Sequence, residues 1–176
     1  YTDSCIVDDW WMLPIYWDAV SANKNDNTIF RSTADDFLSS TDTKPIFLIG
    51  DAGTDSQKSN KVVIDHGVIP IIAARANSVG EIIKKDSGNH FRGEYIPRMY
   101  HRLLGKLYDL RTTVERKNSN EVVGHHRSKM SNREIEQARI FVSIPNITAL
   151  LTALTAFNVG RLDLIRLPSA FRRVSI

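Results

Sequence analysis

Pro45-Ile46-Phe47-Leu48-Ile49-Gly50-Asp51-Ala52-Gly53-Thr54-Asp55-Ser56 passes from an unbroken apolar run straight into a small, polar turn. Such a run implies a strand buried on both faces, as at the centre of a mixed or parallel sheet. Asp51 then stands at the strand's carboxyl end, where open α/β sheets gather their ligands. Gly50 and Gly53 leave room beside it for a substrate, and a carboxylate so placed is a good ligand for a hard cation such as Mg²⁺. Asp55 or Ser56 caps a helix that runs to about residue 66, and Gly67 stops it. Residues 68–73 return as a second apolar strand, completing a βαβ unit with a right-handed crossover.

Working outward, Cys5-Ile6-Val7 and Leu13-Pro14-Ile15-Tyr16-Trp17 predict an antiparallel hairpin, with Trp10, Trp11 and Trp17 as core or sheet-face aromatics. Ile29, Phe30, Ala34, Phe37 and Leu38 recur at helical spacing, so 28–39 reads as an amphipathic helix capped by Asp26 or Asn27. Residues 77–98 read as loop. A long helix is predicted over 99–119, with Leu103, Leu107, Leu110 and Val114 as its core stripe. Gly124-His125-His126-Arg127-Ser128-Lys129 is a basic loop, better read as solvated than as a metal pair, and Ser131-Asn132-Arg133-Glu134 has the form of a capping box. Pro145 should break or kink the helix that follows, before an Ala/Leu/Thr-rich helix over 147–157.

Composition bounds the possibilities. The chain has 176 residues, 42% hydrophobic and 24% charged, enough for one domain with a sizeable core. A single cysteine, Cys5, excludes an internal disulfide framework and a cysteine-based zinc site. No apolar run reaches bilayer-spanning length and the acidic start is no signal peptide, so no membrane partner and a cytoplasmic location are expected. The net charge of +3 permits a nucleic-acid partner without requiring one. Tyr1 and the strand-like residues after it predict that the chain's true beginning lies upstream.

The second chemical signal is Tyr108-x-x-Arg111-x-x-x-Glu115. On a helix these offsets put the three side chains within a stripe roughly 60° wide, beside the leucine stripe. A phenol, a guanidinium and a carboxylate on one face suit a metal-bound phosphate. The plainer alternatives are that Asp51 is a turn residue and that Glu115 pairs with Arg111 at i,i+4 on a solvated face. Asp26 reads as a helix cap, and Arg75 and Asn77, after the last strand, stand where they can face the site.

"GDAGTDS" followed by "YDLRTTVERKNS" resembles the second and third catalytic segments of bacterial and archaeal insertion-sequence transposases. These are DDE enzymes with a ribonuclease-H-like fold, in a branch with a Tyr–Arg–Glu–Lys signature matched by Tyr108, Arg111 and Glu115. "LPIYWDAVSANKND" resembles the strand and loop before the second segment, and the likeness runs over about residues 1–160. Two positions depart from the pattern. Val122 stands where the signature lysine falls, with Lys117 or Lys129 as substitutes, and Thr54 stands where an aromatic is common.

The resemblance implies a partial ribonuclease-H-like α/β fold: a mixed sheet with flanking helices over residues 1–124, then a basic loop and helical C-terminal extension over 125–176. The first strand, with the first catalytic aspartate, would lie upstream of Tyr1; Asp3, Asp8 or Asp9 are the alternatives within the chain. The implied activity is metal-dependent DNA cleavage and strand transfer at transposon ends, with two Mg²⁺ or Mn²⁺ ions held by Asp51 and Glu115. DNA would be contacted by Tyr108, Arg111, Lys117, Arg127 and Lys129, and the full-length enzyme would act as a homodimer. The competing readings are a truncated, inactive remnant that at most binds DNA, and an unrelated α/β metal hydrolase using Asp51.

Overall fold

A computed structural model describes residues 1–75, 91–92, 95–112 and 134–166. In chain order its elements are β1 (Thr2–Val7), β2 (Pro14–Val20), α1 (Asp26–Ser40), β3 (Phe47–Gly50), α2 (Gln57–Asp65), β4 (Ile69–Ile72), α3 (His101–Tyr108) and α4 (Ile135–Asn158). Antiparallel and parallel pairing both occur, as in a mixed α/β fold, but among the described residues they form two separate two-stranded sheets rather than one. Contacts divide the chain into two units, Tyr1–Asn23 with Thr112–Ile176, and Lys24–Arg111.

In the Lys24–Arg111 unit the βαβ reading holds: β3 pairs parallel with β4, Leu48 opposite Pro70 and Gly50 opposite Ile72. The strand is shorter than the apolar run, however, and its start is not buried on both faces. Ile46 is 72% exposed and Phe47 36%, whereas Leu48 and Gly50 are buried. Ser56, not Asp55, caps α2, its side chain accepting from the Ser59 amide. Gly67, with φ +76, ends the turn after α2, a conformation glycine adopts without steric cost.

α1 begins earlier than its apolar pattern suggests. Its cap is Asn25, which accepts from the Thr28 amide, rather than Asp26 or Asn27. Asp26 becomes the first helical residue, where its charge complements the positive end of the helix dipole. Ala34, Phe37 and Leu38 are buried as their spacing predicts. α1 and α2 are tied at the surface by His66, whose Nε2 donates to Asp35 at 2.8 Å.

α3 turns a different face inward from the one expected. Leu103 is 63% exposed, and the buried stripe is His101, Leu104 and Tyr108. Leu104 and Tyr108 pack with Ile71, Ala73, Phe91 and Ile96 into one cluster, against which Leu107 also lies, and His101 meets the Phe91 ring edge-on. The helix is a single two-turn element flanked by 3₁₀ turns at Arg98–Tyr100 and Asp109–Arg111, so the heptad-like leucine count slips by one position. Val114 and the rest of the predicted helix lie outside the described residues.

In the other unit β1 and β2 form the expected antiparallel hairpin. Asp8 organises its turn, accepting from the amides of Trp10, Trp11 and Leu13 at 3.1, 2.7 and 2.7 Å. That turn carries Trp10 outward, at 73% exposure, and leaves Trp11 at the surface; Trp17 does pack inward, against Ala19, Ala138 and Val142. The indole of Trp17 donates to Ser143 and Arg139 pairs with Asp18, fastening α4 to β2.

Pro145 neither breaks nor ends α4, which runs unbroken over 24 residues. Its ring removes one helical donor only, and the buried Asn146 side chain donates to the Val142 carbonyl beside it. Because the apolar run is not split, α4 is long and apolar enough to cross a membrane by length and composition, contrary to the expectation from sequence. Glu134 is the N-cap and makes no side-chain cap bond; the other capping-box residues, 131–133, lie outside the described residues.

Gly50 is required by packing rather than by substrate access. A Cβ there would lie 2.9 Å from the Phe30 ring, 2.9 Å from the Thr54 hydroxyl and 3.2 Å from Ile72. Gly50→Ala should lower unfolding stability by about 1–3 kcal/mol through overpacking. A denaturant titration with an unchanged midpoint would contradict this packing.

Candidate active site

The site is built where β3 ends. Past Gly50 the chain enters a 3₁₀ turn over Ala52–Thr54, closed by the Thr54 amide and hydroxyl, which both donate to the Asp51 carbonyl at 2.8 and 2.6 Å. A threonine thus suits the position where the resemblance leads one to expect an aromatic. The turn leaves the Asp51 side chain 68% exposed.

Two of the residues singled out with Asp51 converge on it. The Tyr108 hydroxyl donates to Asp51 Oδ1 at 3.4 Å and accepts from the Ala52 amide at 3.2 Å. Arg111 Nη1 lies 3.7 Å from the same Oδ1, and the guanidinium sits 5.4 Å from the Tyr108 ring centroid in a cation–π contact. Tyr108 is not on a polar stripe at the edge of the packed face, as expected, but within that face. Its ring is in the core, 4% exposed, and only the hydroxyl reaches the site. Arg111, on the 3₁₀ turn that follows, is 38% exposed.

The second carboxylate oxygen of Asp51 faces elsewhere. A methyl-sized space on Gly53 has Asp26 Oδ2 at 3.4 Å and Asp51 Oδ2 at 3.6 Å. Gly53 therefore keeps open the gap between two carboxylates, one from the end of β3 and one from the first turn of α1. An exposed oxygen donor of this kind fits Mg²⁺, which commonly takes one or two carboxylates and completes its shell with water and phosphate oxygens. Among the described residues no three His, Cys, Asp or Glu side chains cluster as a metal site. Glu115, Lys117, Val122, His125, His126, Arg127, Lys129 and Asn77 lie outside the described residues.

What sequence reasoning missed is the clamp behind the turn. Asp55 is no helix cap; its side chain is fully buried and accepts from Arg92 Nε at 2.6 Å, Arg92 Nη2 at 3.2 Å and the Arg75 amide at 3.0 Å. Arg75 donates from Nε to the Ala52 carbonyl at 3.2 Å and from Nη2 to the Gly53 carbonyl. With its amide oriented to suit both neighbours, Asn27 donates to the Thr54 carbonyl and accepts from Arg75. Arg75 thus faces the turn's backbone, not an open site. The only prior signal was a second aspartate four residues after Asp51.

Removing Asp55 would take a buried charged acceptor from Arg92, whose side chain is only 24% exposed, and from the Arg75 amide. Asp55→Ala should cost about 3 kcal/mol, the lower end for breaking a buried pair. A denaturation midpoint within error of the parent would show that the clamp carries no such energy.

Tyr108 offers a pH signature. Burial, first, and the Asp51 charge, second, push its pKa above the ordinary 10.0, with Arg111 opposing. A phenol that is harder to ionise in the folded state contributes stability that is complete below the unfolded value of about 10 and lost as pH rises through the higher folded value. Stability of the native chain should therefore fall more steeply above pH 10 than that of Tyr108→Phe, measured as urea midpoint against pH. Parallel curves would mean the phenol is not held this way.

Comparison with known families finds one model, described as the transposase DDE domain, that matches residues 5–146. Comparison with curated proteins and with solved structures returns no significant match. A match over that much of the sequence settles the family, and the chain belongs to the transposase DDE domain family.

Proposed function

We propose that the chain cleaves and joins DNA at transposon ends, as part of a transposase of the insertion-sequence type with the Tyr–Arg–Glu–Lys signature. The observation that carries this reading is the convergence of Tyr108 and Arg111, three residues apart, on one oxygen of Asp51 at the end of β3. Membership of the family implies DNA as the partner.

Asp51 and Glu115 are assigned as the residues that would hold divalent metal, Mg²⁺ or Mn²⁺, with Asp51 Oδ2 facing the gap over Gly53. Metal bound there supplies Lewis-acid activation of water or a 3′-hydroxyl and offsets charge on the phosphate. Arg111 and Tyr108 position the phosphate. The Arg111–Asp51 pair is long and partly exposed, so it contributes little stability and exchanges readily for a phosphate, which a guanidinium can grip through two parallel bonds. Tyr108, fixed by its buried ring, keeps a donor at the same spot. Arg127, Lys129 and Lys117 supply backbone contacts to DNA, and the cytoplasm, with the nucleoid when DNA is bound, is the proposed location.

Calorimetry with Mn²⁺ on the chain, Asp51→Ala and Glu115→Ala tests the assignment. Binding that is weakened at least tenfold in both variants supports one shared site. No binding heat in a folded parent chain, or heat unchanged by both substitutions, would remove the metal role from these two carboxylates. Arg111→Ala should leave Mn²⁺ affinity within about twofold and weaken binding of a transposon-end oligonucleotide instead, with a shallower salt dependence.

A further inference from the structure

Neither backbone conformation nor core packing explains Gly53. Among the described glycines only Gly67 and Gly160 hold a positive φ, so the backbone at Gly53 needs no glycine. The core does not take up the space either, as it does at Gly50. A Cβ on Gly53 would meet two atoms of the described residues within 4 Å, Asp26 Oδ2 and Asp51 Oδ2. The missing side chain leaves an opening whose rim is two carboxylate oxygens from different elements.

The fold holds these like charges near one another instead of letting them part. Asn27, the neighbour of Asp26, donates to the Thr54 carbonyl at 2.6 Å and accepts from Arg75 at 3.2 Å. The same guanidinium donates to the Ala52 and Gly53 carbonyls. Further into α1 the Phe30 ring lies against Gly50. The first turn of α1 is therefore fastened to the turn after β3 by the residues that follow Asp26. Arg111 and Tyr108 both engage Oδ1 of Asp51, which leaves Oδ2 to the opening.

Two anions that face one small opening repel, and a divalent cation between them reverses the sign of that interaction. A role at the helix dipole alone accounts for the charge of Asp26 but not for the glycine in front of it.

We propose that Asp26 is a second carboxylate for the divalent cation assigned to Asp51, acting across the space that Gly53 leaves open. The proposal rests on that assignment and adds to it a residue that reads from sequence as a helix cap. Mg²⁺ takes one or two carboxylates and keeps several waters, so a carboxylate here serves by binding the ion or by accepting from a water of its shell.

Calorimetry with Mn²⁺ on the full chain tests this with Asp26→Asn, Gly53→Ala and Asp36→Asn, an exposed acid further along α1. Asp26→Asn should weaken Mn²⁺ affinity about tenfold, as loss of a carboxylate beside a metal commonly does. Gly53→Ala, which keeps both charges and fills the opening, should weaken it at least fivefold. Asp36→Asn should stay within twofold, and all three should keep the parent's far-ultraviolet circular dichroism spectrum. Suppose the parent binds Mn²⁺ and loses it with Asp51→Ala, yet Asp26→Asn stays within twofold. The Asp51 assignment would then stand and the role of Asp26 would be overturned. Weakening by Asp26→Asn that Gly53→Ala does not share, or that Asp36→Asn matches, would also overturn it, because the effect would be one of general charge. A parent that binds no Mn²⁺, or whose binding survives Asp51→Ala, would overturn both.

Discussion

The buried carboxylate of Asp55 is the point on which the Lys24–Arg111 unit turns. It receives two guanidinium donors from Arg92 and one backbone amide from Arg75, joining the turn after β3 to the segment after β4 and to the chain before α3. Asp55, Arg75 and Arg92 themselves lie outside the helices and strands. A charge buried in this way stabilises the fold only because its lone pairs are met by donors. The turn it anchors is the one that presents Asp51. Arg75 adds two further donors to the carbonyls of Ala52 and Gly53, so the turn is gripped at its side chain and its backbone together. The exposed carboxylate can therefore be rigid without being buried.

Much of this was legible in the chain itself, and the exceptions have physical causes. The βαβ unit, the N-terminal hairpin and the placing of Asp51 follow from apolar runs that end in turn residues. The meeting of Tyr108 and Arg111 with Asp51 was legible only as a shared stripe. That Tyr108 belongs to the core depends on which face of α3 turns inward, and a two-turn helix flanked by 3₁₀ turns carries too few residues for periodicity to decide. Asp55 looked like a cap because caps and buried ion-pair partners use the same side chain, and only tertiary contact separates them. Pro145 looked like a helix end because local propensity is a weak prior that packing overrides.

α4 shows the same tension between local and global signals. Its residues toward the hairpin are small, allowing close approach to β2, while its bulk points away. One side packs against the hairpin, and the residues of the other, Ile140, Ile144, Leu151 and Leu154 among them, are largely exposed. The candidate site residues lie on short elements whose geometry is set by hydrogen bonds, whereas α4 is shaped by area and spacing. The polar turn and the apolar helix are thus shaped by different physics.

Pro70 carries a consequence for the chain while it folds. The Ile69 amide donates toward Ile46, so strand alternation points the Pro70 nitrogen, which has no hydrogen, away from β3. A stray strand arriving along that outer side would find carbonyls to donate to but a gap in the row of amides. The short parallel pair, with Ile46 and Ile69 exposed at one end, would otherwise be a template for runaway association of nascent chains. One imino acid thus makes the outer side of β4 a poor acceptor of a further strand.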